Sequence, residues 1–281
     1  MLRFLLLLED KSTSREPRVY AKTSLRKRLS PLRYSGGKSK LIDYLYSLLF
    51  KEQLDTFTEV FAGGASLGLS LLDAGIIQHL ILNDKDPAVY AFWKTVLEEP
   101  QTLVRHLQDF PPTHKELADA KARLAEDDTP SAELGLAFLL ANRLSYSGII
   151  KANAQGGKEG TQKDLLARWN PNALQKRIMH IHSLRDNIAL HNKDAVSLIE
   201  ESVYWNSHST LFVDPPYFSQ GKRLYTHFFR KEDHENLAFL LSSLYMDFPE
   251  SDIIVTYDNH PYIRELYPFA QTEYLSRKYS I

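Results

Sequence analysis

The 281-residue sequence contains no cysteine, which excludes a disulfide framework, a thiolate metal site and a cysteine nucleophile. That absence is compatible with a reducing cytoplasm, the expected location. Long apolar runs are missing too. The N-terminal stretch Phe4-Leu5-Leu6-Leu7-Leu8 is far short of a membrane span, and charged residues follow it at once. Net charge is also nearly absent: 34 Lys and Arg balance 35 Asp and Glu, so the whole protein is no simple polyanion binder. There is no internal repeat and no nucleophile elbow. His180 and His182 lie two apart without a partner at metal-ligand spacing, so no metal is expected.

What charge there is lies unevenly. Residues 15 to 40 hold nine Lys or Arg against the single acid Glu16, and residues 141 to 185 hold eight against Glu159 and Asp164. Basic patches on a neutral chain suit contact with a phosphate-bearing ligand on one face. Residues 1–31 carry few acids and several Arg and Ser, and are expected to form a floppy extension or an over-long start.

Alternation of apolar and β-branched residues predicts a strand over Thr56 to Phe61, followed by the loop Ala62-Gly63-Gly64-Ala65-Ser66 and a helix from Ser66 that ends near Gly75. A second strand, His79 to Asn83, stops at Asp84-Lys85-Asp86-Pro87, and Pro87 suits the first turn of the next helix. Helical patterning then dominates, at 113 to 126 and 131 to 145, before a Gly/Asn/Lys-rich loop over Lys151 to Gly160. Strand character returns at Asn187 to His191, Leu211 to Val213 and Asp252 to Tyr257. Alternation of strands and helices indicates an α/β fold with a parallel sheet. The expected division is an extension (1–31), a first part of an α/β domain (32–97), a mostly helical insert (98–185) and the second part of that domain (186–281).

The stretch richest in chemistry is Asp214-Pro215-Pro216-Tyr217, directly after the apolar run Leu211-Phe212-Val213. Tandem prolines forbid continuation of the ladder, so a carboxylate, two rigid residues and a ring leave the carboxyl edge of the sheet together. Ligands of open α/β sheets bind at that edge. Two readings stay open here: a capped strand end, or a holder for a flat, amine-bearing molecule. The glycine-rich loop 62–66 matches neither a P-loop nor a full dinucleotide fingerprint. With Asp84 at the end of the next strand, it suggests a ligand carrying adenosine but no pyrophosphate. Upstream, Tyr34-Ser35-Gly36-Gly37-Lys38 puts two glycines between a ring and a cation, ahead of an amphipathic helix. Trp93, Trp169 and Trp205 are expected to be packing residues.

Taken in order, Tyr34-Ser35-Gly36-Gly37-Lys38, Glu59-Val60-Phe61-Ala62-Gly63-Gly64, Asn83-Asp84, Asn142-Arg143-Leu144-Ser145-Tyr146-Ser147-Gly148, Asp214-Pro215-Pro216-Tyr217 and Tyr257-Asp258-Asn259-His260-Pro261 resemble the Dam-like DNA N6-adenine methyltransferases. The resemblance covers about Leu32 to Tyr267 and rests on the order and spacing of these blocks. It implies a Rossmann-like, S-adenosylmethionine-dependent methyltransferase sheet with an inserted helical target-recognition subdomain. It further implies that Tyr34 and Lys38 flank the S-adenosyl-L-methionine donor, that Glu59, Phe61 and Gly63 line its site, and that Asp84 binds its ribose. Asp194 would meet the donor's adenine. Asp214, with Pro215 and Pro216, would lie beside donor and target amine, and Tyr217 would stack on a flipped adenine.

Double-stranded DNA is the partner implied, contacted by Arg143, Lys151, Lys158, Lys163 and Arg168 at phosphates and by Asn142, Asn153 and Gln155 at base edges. A cognate restriction endonuclease is a further implied partner. This sequence departs from the family pattern in two places. Ala65 stands where the family's second motif glycine belongs, and the chain stops soon after Tyr274 and Tyr279, where the family continues into a last strand or hairpin. A shortened sheet edge is therefore expected. Two alternatives to adenine methylation are a catalytically impaired DNA- or donor-binding remnant, and a methyltransferase acting on cytosine N4 or RNA.

Overall fold

A computed structural model of the chain describes residues 3–10, 25, 28–33, 37–49, 54–109, 111–202, 209–219, 228–247 and 252–276. Among the described residues seven strands form one sheet: β1 (Arg3–Asp10), β2 (Thr56–Glu59), β3 (His79–Asn83), β4 (Ile188–His191), β5 (Ser209–Val213), β6 (Asp252–Asp258) and β7 (Gln271–Ser276). Their order is β4-β3-β2-β5-β6-β1-β7, and every pairing among them is parallel. The chain steps outward from β2 through β3 to β4, then returns to lay β5 on the other side of β2. That reversal makes the carboxyl ends of β2 and β5 the switch point, where a crevice opens in sheets of this kind. This is the α/β, Rossmann-like arrangement expected.

Parallel pairing sends all the strand ends to one edge, and an acid stands at or just past most of them. Glu59 ends β2, Asp84 follows β3, Asp194 lies beyond β4, Asp214 follows β5 and Asp258 ends β6. Glu9, near the end of β1, is in register with Asp258.

Residues 3–10 overturn the expectation of a floppy extension. They form β1, inserted between β6 and β7, and Leu5, Leu6, Leu7 and Leu8 are all fully buried. An apolar run without alternation is what a strand covered on both faces requires. Leu5 and Leu7 join the core on one side of the sheet and Phe4, Leu6 and Leu8 the core on the other. The sheet beyond β6 is thus built from β1 and β7, where a shortened edge was expected.

Helices fill the stretch between β3 and β4. Asp86 caps the helix Pro87–Glu98 by accepting from the Ala88 amide, with Pro87 in its first turn as anticipated. Thr113 and Glu116 form a reciprocal capping box on the helix His114–Glu126. That helix packs with Ala132–Leu144 around Leu117, Leu140 and Leu144. The helix Pro171–Ser183 is tied back to the remainder by His180, 2.6 Å from Asp73, and by His182, 2.9 Å from the Leu97 carbonyl. Among the described residues no helix is long and apolar enough to cross a membrane.

Candidate active site

A cavity of about 730 Å³ opens at the switch point. Such a volume is typical of small-molecule sites. Lys38, Glu59, Phe61, Gly63, Asp84, Asp194, Asp214 and Pro216 all line it, so residues far apart in sequence meet in one space.

On the side of β2 and β3 the acids are held mainly by backbone amides. Glu59 accepts from the Gly68 amide at 2.6 Å. Gly68 permits that approach because a Cβ there would come within 2.4 Å of Leu80 and 3.0 Å of the Glu59 carboxylate. Burial pushes the Glu59 carboxyl up to about 8; the Gly68 amide and the Lys38 charge oppose the shift, and Asp214 adds to it. Asp84 accepts from the amides of Gly63 at 2.9 Å and Asp86 at 3.0 Å. Burial, with the charge of Asp86, raises its carboxyl to about 7. Each Asp84 oxygen retains a lone pair for a further donor. Asp194 behaves differently: burial works against its charge, but the Lys85 ammonium at 2.9 Å and the amides of Val196 and Ser197 hold its carboxyl below the ordinary range.

The turn that presents Gly63 is strained. Gly63 and Ala65 both adopt positive φ, 44° and 48°. For Ala65 the left-handed region costs on the order of 1 kcal/mol, because its Cβ crowds the following carbonyl. Trp93, fully buried, fixes the turn from behind by donating to the Gly63 carbonyl at 2.9 Å, a packing role as expected.

On the side of β5 and β6 the acid is held by a cation. The Lys38 ammonium lies 2.7 and 2.6 Å from the two oxygens of Asp214 and donates to the Tyr217 hydroxyl at 3.1 Å. It also stands 3.4 Å from Glu9. Lys38 is 4% exposed, whereas the Asp214 side chain keeps 20% and faces the cavity. Thr256, on β6, donates to Asp214 as well. Asp258 accepts from the amides of Phe218 and Ser219, at 3.0 and 2.9 Å, and so pins the loop that follows the prolines to the end of β6.

A family model for D12 class N6 adenine-specific DNA methyltransferases matches residues 34–281. The chain belongs to that family. Among curated proteins, the type II methyltransferase M.FokI of Planomicrobium okeanokoites is 25% identical over 198 residues, which are 67% of this chain and 29% of that protein. The chain therefore spans less than a third of the length of that relative.

Within this family member, Tyr34 lies outside the described residues, as does Trp205. Pro215 is buried, and Tyr217 is 7% exposed, with its ring near Lys38 and Tyr257, so in this conformation it does not line the cavity. Asn142, anticipated at a base edge, is 1% exposed. Its amide accepts from the Arg33 N–H at 2.8 Å and donates to the carbonyls of Arg33 and Gly148 at 2.9 and 3.1 Å. Asn142 is thus a brace between the insert and the segment leading to Lys38, because it falls on the buried face of its helix. Gly148 makes room for that brace: its φ is +76°, and a Cβ would meet the Arg33 carbonyl at 1.9 Å.

Lys151, Asn153, Lys158, Lys163 and Arg168 are exposed on the insert and do not line the cavity. Arg143 is half-buried and donates to the Arg168 carbonyl, while Gln155 accepts from Arg33 at 3.0 Å. Arg33, Arg143 and Arg177 have lowered pKa values, that of Arg143 to about 10; burial is the main cause and neighbouring arginines add to it. Thr256 and Glu9 were missed by sequence reasoning. For Glu9 the signal was available, since an acid after an apolar run is the pattern that drew attention to Asp214.

Proposed function

We propose that the chain transfers the methyl group of S-adenosyl-L-methionine to N6 of adenine within a specific double-stranded DNA sequence. The observation that carries this reading is the meeting of Asp214, Pro216 and Lys38 with Glu59 and Asp84 in one cavity at the switch point. The donor fits the residues present. Glu59 would hold its ammonium, Asp84 would take its ribose hydroxyls with the remaining carboxylate lone pairs, and Phe61 would supply an apolar wall. When bound, the donor supplies an electrophilic methyl on a sulfonium.

The chain's own part is positional and electrostatic. The exocyclic amine of adenine is a weak nucleophile because its lone pair is delocalised into the ring. Asp214 and the Pro215 carbonyl accept the two amine N–H bonds, which favours a tetrahedral nitrogen with its lone pair directed at the methyl. Pro215 and Pro216 keep these acceptors rigid. The surplus proton leaves afterwards by way of Asp214 to water. The target base must leave the duplex to reach this point, and stacking on Tyr217, once its ring is uncovered, offsets part of that cost, on the order of 1–3 kcal/mol.

DNA is the acceptor this reading favours because Arg33, Arg143, Arg168 and Arg177 have no carboxylate within ion-pair distance among the described residues. Arginines pooled without an acid call for phosphate. Exposed Lys151, Lys158 and Lys163 are further cations of the insert available to phosphates. Replacing Lys158 or Lys163 by Gln should lower the slope of log affinity against log salt by about one each, measured by filter binding. The type II designation of the relative makes a companion restriction endonuclease part of the proposal.

Purified protein incubated with methyl-labelled donor and mixed duplex DNA tests the reading. Label in N6-methyladenine supports it. Label in N4-methylcytosine, or in RNA alone, would replace it with the other acceptor, and binding without transfer would leave a remnant.

A further inference from the structure

The Lys38 ammonium holds both oxygens of Asp214, at 2.7 and 2.6 Å, and Thr256 donates to one of them as well. An amine that is to be held by Asp214 meets a carboxylate already committed. The same ammonium has a second carboxylate beside it. Glu9 lies 3.4 Å away with its side chain 2% exposed, and it comes from β1, none of whose described residues lines the cavity. The two distances describe one cation shared unequally between two acids, sealed from solvent on the side away from the cavity.

Sharing matters because a buried ammonium cannot be left alone. Removing one partner of a buried ion pair is strongly destabilising, since the remaining charge loses its compensation. If Asp214 were the sole anion beside Lys38, loosening that pair for the substrate would carry much of this penalty. With Glu9 in place, the ammonium can shift by about an ångström toward a standing acceptor, within the ordinary range of a charge-assisted hydrogen bond.

We propose that Glu9 is a positioning residue for methyl transfer: it shares the Lys38 ammonium with Asp214 and takes it over when the amine of the target base engages Asp214. This rests on the methyl-transfer reading above. The N-terminal strand then does more than complete the sheet, because it carries the group that makes Asp214 available.

The test uses the full chain with methyl-labelled donor and duplex DNA in single turnover, together with donor affinity by calorimetry and urea midpoints. Glu9→Gln keeps the size of the side chain and removes its charge. We expect the transfer rate to fall about tenfold or more, with donor affinity within about twofold and the urea midpoint largely kept. The loss should vanish in the Lys38→Gln background if the effect of Glu9 on transfer runs through Lys38. Glu9→Asp, one methylene short, should fall between wild type and Glu9→Gln.

A wild-type rate in Glu9→Gln would overturn the proposal. So would losses that simply multiply in the double variant, or the unfolding of both Glu9 variants, which would make Glu9 a prop for the fold. Should Lys38→Gln abolish transfer altogether, the urea midpoints of the four proteins supply the same cycle: coupling between positions 9 and 38 supports the sharing and additivity refutes it. Failure of the wild-type protein to methylate adenine would instead overturn the functional reading, and the urea cycle would still report whether the two side chains act together.

Discussion

The acids along the carboxyl edge of the sheet are held in two ways. Glu59 and Asp84, at the ends of β2 and β3, accept from backbone amides, and burial raises them to about 8 and about 7. Asp214, after β5, accepts from the Lys38 ammonium and Thr256. An amide offers half a charge at most and cannot leave, so an acid held that way is short of positive charge and receptive to a cationic ligand. An ammonium neutralises its partner fully but can move. The first arrangement suits holding a donor with an ammonium and a sulfonium; the second suits an acid that must be freed at a particular moment.

The largest effect should follow from breaking the second arrangement. Asp214→Ala is expected to lower single-turnover methyl transfer by about 10²–10³-fold or more, the range for removing a group that acts on the reacting atoms. Donor affinity should change far less, because the acids on the amide-held side remain. Equal losses in both measurements would erase the distinction between the two sides.

Next in size is β1, which brings Glu9 to the cation-held side. Leu6 is fully buried among Phe4, Val255 and their neighbours, so Leu6→Ala should cost about 2–5 kcal/mol in urea unfolding. A cost near zero would mean that β1 does not stand in the sheet under solution conditions.

The amide-held side is tested by pH. Glu59 rises from an ordinary 4.5 to about 8 on folding, and Asp84 from 3.8 to about 7. Between those values the folded protein keeps protons that the unfolded chain releases. Stability is therefore highest below the unfolded values and declines as pH rises through about 7 to 8, by at most about 1.4 kcal/mol per pH unit for each group. Urea midpoints taken across that window should fall with pH, and Glu59→Gln, which still offers an oxygen to Gly68, should flatten the fall. The smallest effect concerns the strained turn: Ala65→Gly should raise stability by up to about 1 kcal/mol while leaving transfer intact. A loss instead would show that the methyl group of Ala65, 1% exposed, contributes more by packing than its backbone costs.

Much of this arrangement was legible before folding was considered. The strand carrying Glu59, the turn at Gly63, Asp84 after the next strand and Asp214 before two prolines are each written in local periodicity and turn chemistry. Local signals failed at Asn142. An asparagine near the end of an apolar helix, next to an arginine, looks the same whether it faces solvent or accepts from Arg33, more than a hundred positions away in the chain. Phe4 to Leu8 failed for a related reason: a run buried on both faces has no alternation to mark it as a strand.

The sequence by itself determined a parallel α/β chain and the acids at the ends of its strands, because periodicity and breakers act over a few residues. Only the tertiary structure decided which strands lie side by side. The place of β1 between β6 and β7 depends on contacts spanning nearly the whole chain, and no local pattern encodes it. That placement puts Glu9 beside Lys38, and with it a second anion behind Asp214.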